Sequence, residues 1–329
     1  MRLNIVSALL ISTLFFSCNK DDSGHDGNSA EIDYKQEMRK FVIGISRYAK
    51  NQNSGFIIVP QNGIELVTQN GEILGEPHHD YLNAIDGNGQ EDLFYGYNND
   101  DEATPVQQTN YLKSFLNVSK NNGNTILVTD YTGTVSKVND SYQKNEAEGY
   151  ISFAANERGL NKIPEYPNPL HHENDMAVTA LSQVKNFLYL IDPSDFGEKA
   201  DFINAVTATN YDLLIMDLFF TQDEMFTEDE INQLKIKANG GKRLVLCYMS
   251  IGEAEDYRYY WQQSWTNNKP VWLDTENPEW TGNFKVKYWN SDWQQIIYGN
   301  DTSYLKKILN AGFDGVYLDI IDAFEYYEQ

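Results

Sequence analysis

The sequence predicts an α/β fold, a single (β/α)8 TIM-barrel domain. Three observations carry that expectation: short apolar runs that recur along the chain, helical patterns between them, and acids placed directly after several of the runs. Continuous apolar runs suit strands covered on both faces, as in a parallel sheet flanked by helices. Such barrels need ~250 residues plus insertions and keep their chemistry at the strand C-termini. About 295 residues are available after the N-terminal segments.

The chain begins "MRLNIVSALLISTLFFSC", one Arg followed by a mostly apolar run from Ile5 to Phe16. The run is too short for a stable bilayer anchor and has the layout of a secretory signal peptide. Its "FFSC" end is similar to a bacterial lipobox. This predicts a signal peptide over residues 1–17, lipidation at Cys18, and a polar, Gly-rich disordered tether over 18–34. The expected location is the cell envelope, lipid-anchored and exposed at the outer-membrane surface; secretion or a periplasmic location is the alternative.

From residue 35 the chain is expected to fold as one domain, 35–329. "EMRKFVIGISRYAK" sets Met38, Phe41, Val42, Ile45 and Ala49 at helical spacing, and "GFIIVPQNG" follows as a short strand. "NTILVTDYT" and "GYISFAANE" are further strands with a helical stretch between them. The Pro-rich "NKIPEYPNPLHHEND" (161–175) is a connector. "NFLYLID", "YDLLIMD" and "KRLVLCYMS" continue the strand series; before the last, Thr227 and Glu230 make a capping-box signature and Gly240 a helix stop. "SYLKKILNAG" is an amphipathic helix ended by Gly312, and "FDGVYLD" the final strand. About nine strand candidates compete for eight places, so one assignment must fail.

Composition excludes several functions. The formal charge is −23, from 48 acids against 25 bases, which disfavours nucleic acid and anionic membrane surfaces as partners. With Cys18 lipidated, Cys247 is the remaining thiol, and in an apolar run it reads as core filler. His78–His79 and His171–His172 are adjacent pairs without a third ligand at metal spacing, so they read as surface loop residues. No phosphate loop, nucleophile elbow or dinucleotide fingerprint is found, and no cofactor or metal is implied.

Acids at predicted strand ends are Glu91, Asp130, Asp217, Glu253, Glu255, Asp319 and Asp322. Hydrolysis of a glycosidic bond needs two such groups, one protonated and one ionised, flanking the bond. All six tryptophans, Trp261, Trp265, Trp272, Trp280, Trp289 and Trp293, fall between residues 261 and 293. Indole faces pack against sugar rings. Trp261 and Trp265, at i and i+4, are expected to pack a helix on the barrel, while Trp272 and Trp280 are expected to line a groove.

Three blocks, "LCYMSIGEAEDYRYYWQQSW", "WLDTENPEWTGNFKVKYWNSDWQQII" and "AGFDGVYLDIIDAFEYY", resemble the endo-α-1,4-polygalactosaminidases and their relatives, glycoside hydrolase family 114. With "NFLYLI" and "YDLLIMD" the resemblance covers residues 186–327. In bacterial members the "GVYLD" strand is followed by pieces similar to "FVIGISRYAK", "IIVPQNG" and "AIDGNGQEDLFYGYNND", which here lie ahead of it at residues 41–100. The sequence thus resembles a circular permutation, with 161–175 as the join, since new termini can open in an exposed connection of a closed barrel.

The resemblance implies Asp319 as a catalytic carboxylate and Glu91 as its partner, expected as general acid. It also implies a substrate-binding group of Asp217, Glu255, Asp256 and Arg258, the last orienting a carboxylate; Glu253 and Asp322 complete the candidates. The expected function is hydrolysis of an α-linked amino-sugar polymer, with a polysaccharide or oligosaccharide as substrate and the outer membrane as partner through the lipid. A non-catalytic glycan-binding surface lipoprotein is the alternative.

Overall fold

The computed structural model describes residues 32–328. The signal peptide, Cys18 and nearly all of the tether lie outside the described residues. Helix α1 (Tyr34–Gln52) opens the described chain, with the Asp33 side chain accepting from Gln36 N at 2.8 Å as its cap. It starts within the expected tether and buries the foreseen apolar stripe of Met38, Phe41, Val42, Ile45 and Ala49.

Eight parallel strands follow: β1 (Ile57–Pro60), β2 (Gly87–Glu91), β3 (Thr125–Tyr131), β4 (Ile151–Ala155), β5 (Phe187–Tyr189), β6 (Leu213–Met216), β7 (Leu244–Ser250) and β8 (Gly315–Asp319). They form two sheets, β1-β8-β7-β6-β5 and β2-β3-β4. Strand β8 lies between β7 and β1, with Gly315 opposite Leu246 on one side and Ile57 on the other. A parallel bridge between Gln61 and Gly89, with Asn62 N donating to Gly89 O at 3.0 Å, carries the end of β1 onto β2. Between β4 and β5 no ladder is formed among the described residues. There the chain is held instead by Ile191 N donating to Leu160 O at 3.0 Å and by Phe153 and Phe187, whose ring centroids are 5.7 Å apart. The α/β class and its parallel sheets match the expectation, while the ladders stop at two boundaries, β1/β2 with its single bridge and β4/β5 with none.

Helices α2 (His79–Ala84), α3 (Val106–Asn121), α4 (Val135–Glu148), α5 (Lys199–Thr207), α6 (Glu228–Leu234), α7 (Ser291–Ile297) and α8 (Tyr304–Asn310) punctuate the strands. The capping box at Thr227 and Glu230 is present, and Gly312 turns with φ 82° after α8. Helix α6, however, ends at Leu234, and Gly240 (φ 86°) serves a later turn. The connector 161–175 carries no helix or strand. Trp261 and Trp265 correct the expectation of a helix packed on the barrel: their segment is irregular except for a 3-10 turn at Gln263–Thr266. Their edge-on contact, with ring centroids 5.2 Å apart, starts an aromatic cluster running through Trp272 to Trp293.

Candidate active site

Side chains at the C-terminal ends of the parallel strands converge on a cavity of about 580 Å³. Gln61 and Asn62 leave β1, Glu91 ends β2, Tyr131 ends β3, Asp217 follows β6, Tyr248 stands in β7 and Asp319 ends β8. Asn62 sits in the left-handed region (φ 60°), which Asn tolerates better than most residues. Its side chain serves β2 in both directions. Oδ1 accepts from Glu91 N at 3.1 Å, and Nδ2 donates to Glu91 Oε2 at 2.9 Å.

The two expected carboxylates meet at one amide. Gln61 Nε2 donates to Glu91 Oε2 at 3.0 Å and to Asp319 Oδ1 at 3.1 Å. Tyr131 OH donates to Glu91 Oε1, and Tyr248 OH to Asp319 Oδ2 at 2.7 Å. Burial, then the charge of Glu91, push the Asp319 carboxyl up to about 7. Near neutrality Asp319 is therefore partly protonated. That does not decide which of the two carboxyls donates during a reaction. Ile320, directly after Asp319, has φ 56°. A β-branched side chain there costs of order 1–3 kcal/mol, and such strain gathers at functional positions.

Asp322 also lines the cavity, and burial followed by the charges of Asp319 and Glu325 push it up to about 8. On another wall the Arg258 guanidinium forks onto Asp217 (2.8 and 2.7 Å) and Glu255 (2.6 Å). Tyr257 OH adds a bond to Glu255 Oε1 at 2.6 Å. Such bidentate geometry is what a planar guanidinium supplies, and it holds both carboxylates in place. Trp280, 58% exposed, stands at the rim with Tyr257 and Tyr259.

Three expected substrate contacts are placed elsewhere. Trp272 is 3% exposed and edge-on to Trp265, with ring centroids 4.9 Å apart, so it fills the core rather than a groove. Glu253 is buried and off the cavity wall. It accepts from Asn277 Nδ2 at 2.8 Å and Tyr326 OH at 2.9 Å, which fastens the antiparallel sheet of Glu253–Glu255, Asn283–Val286 and Leu273–Glu276. Asp256 is exposed, its backbone paired to Gly282 O at 2.8 Å in that same sheet. Asp130 is fully buried under four donors: Phe94 N, Tyr95 N, Ser141 Oγ and Asn145 Nδ2. Cys247 is buried as expected, and burial raises its thiol.

Sequence reasoning missed Gln61, Asn62, Tyr131, Tyr248 and Arg158. Strand alternation could have found Tyr131, because the residue after Asp130 must face the other way. Arg158 stacks on the Tyr131 ring at 4.1 Å and pairs with Asp92 at 2.9 Å and with Asp100 at 2.5 Å. Nothing in its local sequence signals this.

Comparison with known proteins places these features in context. Residues 177–329 match the model of the glycoside-hydrolase family GH114. An uncharacterized protein of Methanocaldococcus jannaschii is 45% identical over 129 residues, 39% of this chain and 35% of the relative. One from Thermotoga maritima is 37% identical over 145 residues, 44% of this chain and 41% of the relative. Another, from Deinococcus radiodurans, is 38% identical over 126 residues, 38% of each. The chain thus spans well under half the length of these relatives. The matched stretch contains Asp217, Glu255, Arg258 and Asp319, whereas Glu91 and its strand lie before it. Over residues 177–329 the chain is therefore similar to glycoside-hydrolase family GH114.

Proposed function

We propose that this protein hydrolyses an α-linked amino-sugar polymer, resembling an α-1,4-galactosaminidase, with Glu91 and Asp319 as the catalytic carboxyl pair. The observation that carries the proposal is the single Gln61 nitrogen bonded to one oxygen of each carboxylate, at 3.0 and 3.1 Å. Two oxygens that close to one nitrogen favour the narrow separation, ~5–5.5 Å rather than ~6.5–9.5 Å, that goes with retention. In that course the protonated carboxyl gives its proton to the glycosidic oxygen as the bond to C1 breaks. The ionised one bonds C1, and water, deprotonated by the first group, then releases the sugar. Among the described residues Glu91, Asp319 and Asp322 have no cationic partner in the cleft, whereas both arginines on its wall are already paired with acids. Those carboxyls suit a chain bearing protonated amines, whose charge would favour their ionised forms.

The proposal extends to architecture and location. The parallel β1–β8 pairing and the bridge from β1 to β2 support a closed (β/α)8 barrel. The order of the motifs supports circular permutation, and the sequence around Cys18 supports a lipid-anchored surface protein.

The test uses the full chain with α-1,4-linked galactosamine oligomers, with products followed by mass spectrometry and the first-formed anomer by NMR. Cleavage is expected, with Asp319→Asn and Glu91→Gln each losing ~10²–10⁴-fold, the usual worth of a positioned acid or base. Azide rescue then assigns the roles by its product: the variant lacking the nucleophile gives the glycosyl azide of inverted anomer, and the variant lacking the acid–base group gives the retained one. Undiminished turnover in either variant would remove that residue from the pair. Binding without cleavage would establish the alternative, non-catalytic glycan binding, instead.

A further inference from the structure

On the opposite side of the strands from the cleft, a second cluster gathers where the connector returns along α4. We propose that Glu146, His171 and His172 form a three-ligand site for a divalent transition metal, zinc being the representative ion. Their ligand atoms all lie within 4.8 Å of one another, and His172 Nε2 is 3.4 Å from Glu146 Oε1. Metal–ligand bonds of ~2.0–2.2 Å at tetrahedral angles put neighbouring ligand atoms about 3.3 Å apart. One edge of that tetrahedron is already present, the remaining spans are no longer than 4.8 Å, and Glu146 is exposed and can adjust its own.

Sequence spacing offered two histidines and no third ligand. The fold supplies one from the last turn of α4, 25 residues earlier in the chain.

Adjacent residues of an extended strand point their side chains to opposite sides. Here His172 takes φ 53°, and the two imidazoles come together with centroids 4.0 Å apart. That backbone is held: the His172 carbonyl accepts from Asn174 Nδ2 and Asn186 Nδ2, both at 3.1 Å. The His171 ring is fixed from its other side by stacking on Tyr142, 4.4 Å between centroids. An ion pair with Glu146 would account for one of these imidazoles; a shared metal accounts for both. Lys120 and Lys185 share the groove and act against a cation, although Lys120 is turned onto the Glu148 carbonyl.

The donor set of two imidazoles and one carboxylate suits zinc. The groove touches the first residues of β3 and β4, far from the carboxyl pair, and in a fold of this class that end serves stability. A bound ion would clip the connector to α4.

The experiment strips the full-length protein with a chelator, dialyses it against zinc chloride, and measures bound zinc by mass spectrometry and Tm by calorimetry. One zinc per chain and a raised Tm are expected. Both should be lost in His171→Ala/His172→Ala, while Glu146→Gln weakens binding by at least about tenfold. His78→Ala/His79→Ala serves as the control and should bind zinc like the parent. Circular dichroism of each variant without metal separates a lost ligand from a lost fold. Absence of zinc from the parent, or zinc retained by the His171/His172 variant, would overturn the site.

Discussion

Gln61 shows how much of the candidate site rests on a neutral side chain. Its nitrogen satisfies both carboxylates, and its own Oε1 is left buried without a hydrogen-bond partner. The acids could be picked out from the sequence because an acid after an apolar run is conspicuous. A glutamine or tyrosine in the same position is not, so Gln61 and Tyr248 went unmarked although both bond to Asp319. The Tyr248 hydroxyl stabilises the ionised form of Asp319 and so opposes the rise caused by burial. Tyr248→Phe should therefore move Asp319 further above about 7, by roughly one unit if the bond is worth ~1.5 kcal/mol. A pH profile of kcat/KM should show its alkaline limb displaced upward by that amount. An unmoved limb would mean that Asp319 does not govern it.

At the scale of elements, most strands were legible from their apolar runs, whereas β2 was marked by Glu91 alone, as an acid placed at a strand end. Gly87–Glu91 reads GNGQE, with no apolar side chain, so neither periodicity nor hydropathy marks it as a strand, yet its first four residues are buried. The reason lies across the sheet. A Cβ on Gly89 would sit 2.0 Å from the Tyr317 hydroxyl, so glycine makes room for a tyrosine of β8, and the apolar filling comes from the neighbour. Gly89→Ala must push β2 or Tyr317 aside, an overpacking that costs ~1–3 kcal/mol. A lowered Tm together with reduced turnover is expected, because Glu91 lies two residues along the same strand. Turnover kept at full level with a lowered Tm would separate the fit of Gly89 from the placing of Glu91. Trp272 illustrates the opposite failure: aromatic composition foretold a sugar platform, and packing consumed the ring. Composition says which residues can stack, but burial decides which remain free to.

For the whole molecule, the cleft's protonation sets a pH dependence of stability. Asp92 and Asp319 are pushed up to about 7 and Asp322 to about 8, all mainly by burial. A carboxyl whose folded value exceeds its unfolded one stabilises the fold below the unfolded value, and that contribution fades as pH rises through the folded value. Between pH 5 and 8.5, Tm should thus fall, and Asp322→Asn should flatten the decline; an equal slope in the variant would exclude Asp322 as a source. Below this window the opposite holds for Asp101, which hydrogen bonds from Thr134, Lys137 and Thr132 hold well under the usual carboxylate range. The α/β class was legible because buried strands announce themselves. The meeting of Glu91 with Asp319 was expected only through a permuted closure, since nothing local joins them. The pairing of β8 with β1 also has a biosynthetic consequence. The bond from Gln61 to Asp319 spans 258 residues, so the strand that makes the first half of the site is synthesised long before its counterpart. Until β8 arrives, β1 offers an unpaired edge, and a polypeptide cut anywhere between the two has no site at all. The turnover proposed for this protein would therefore also report that translation had passed β8.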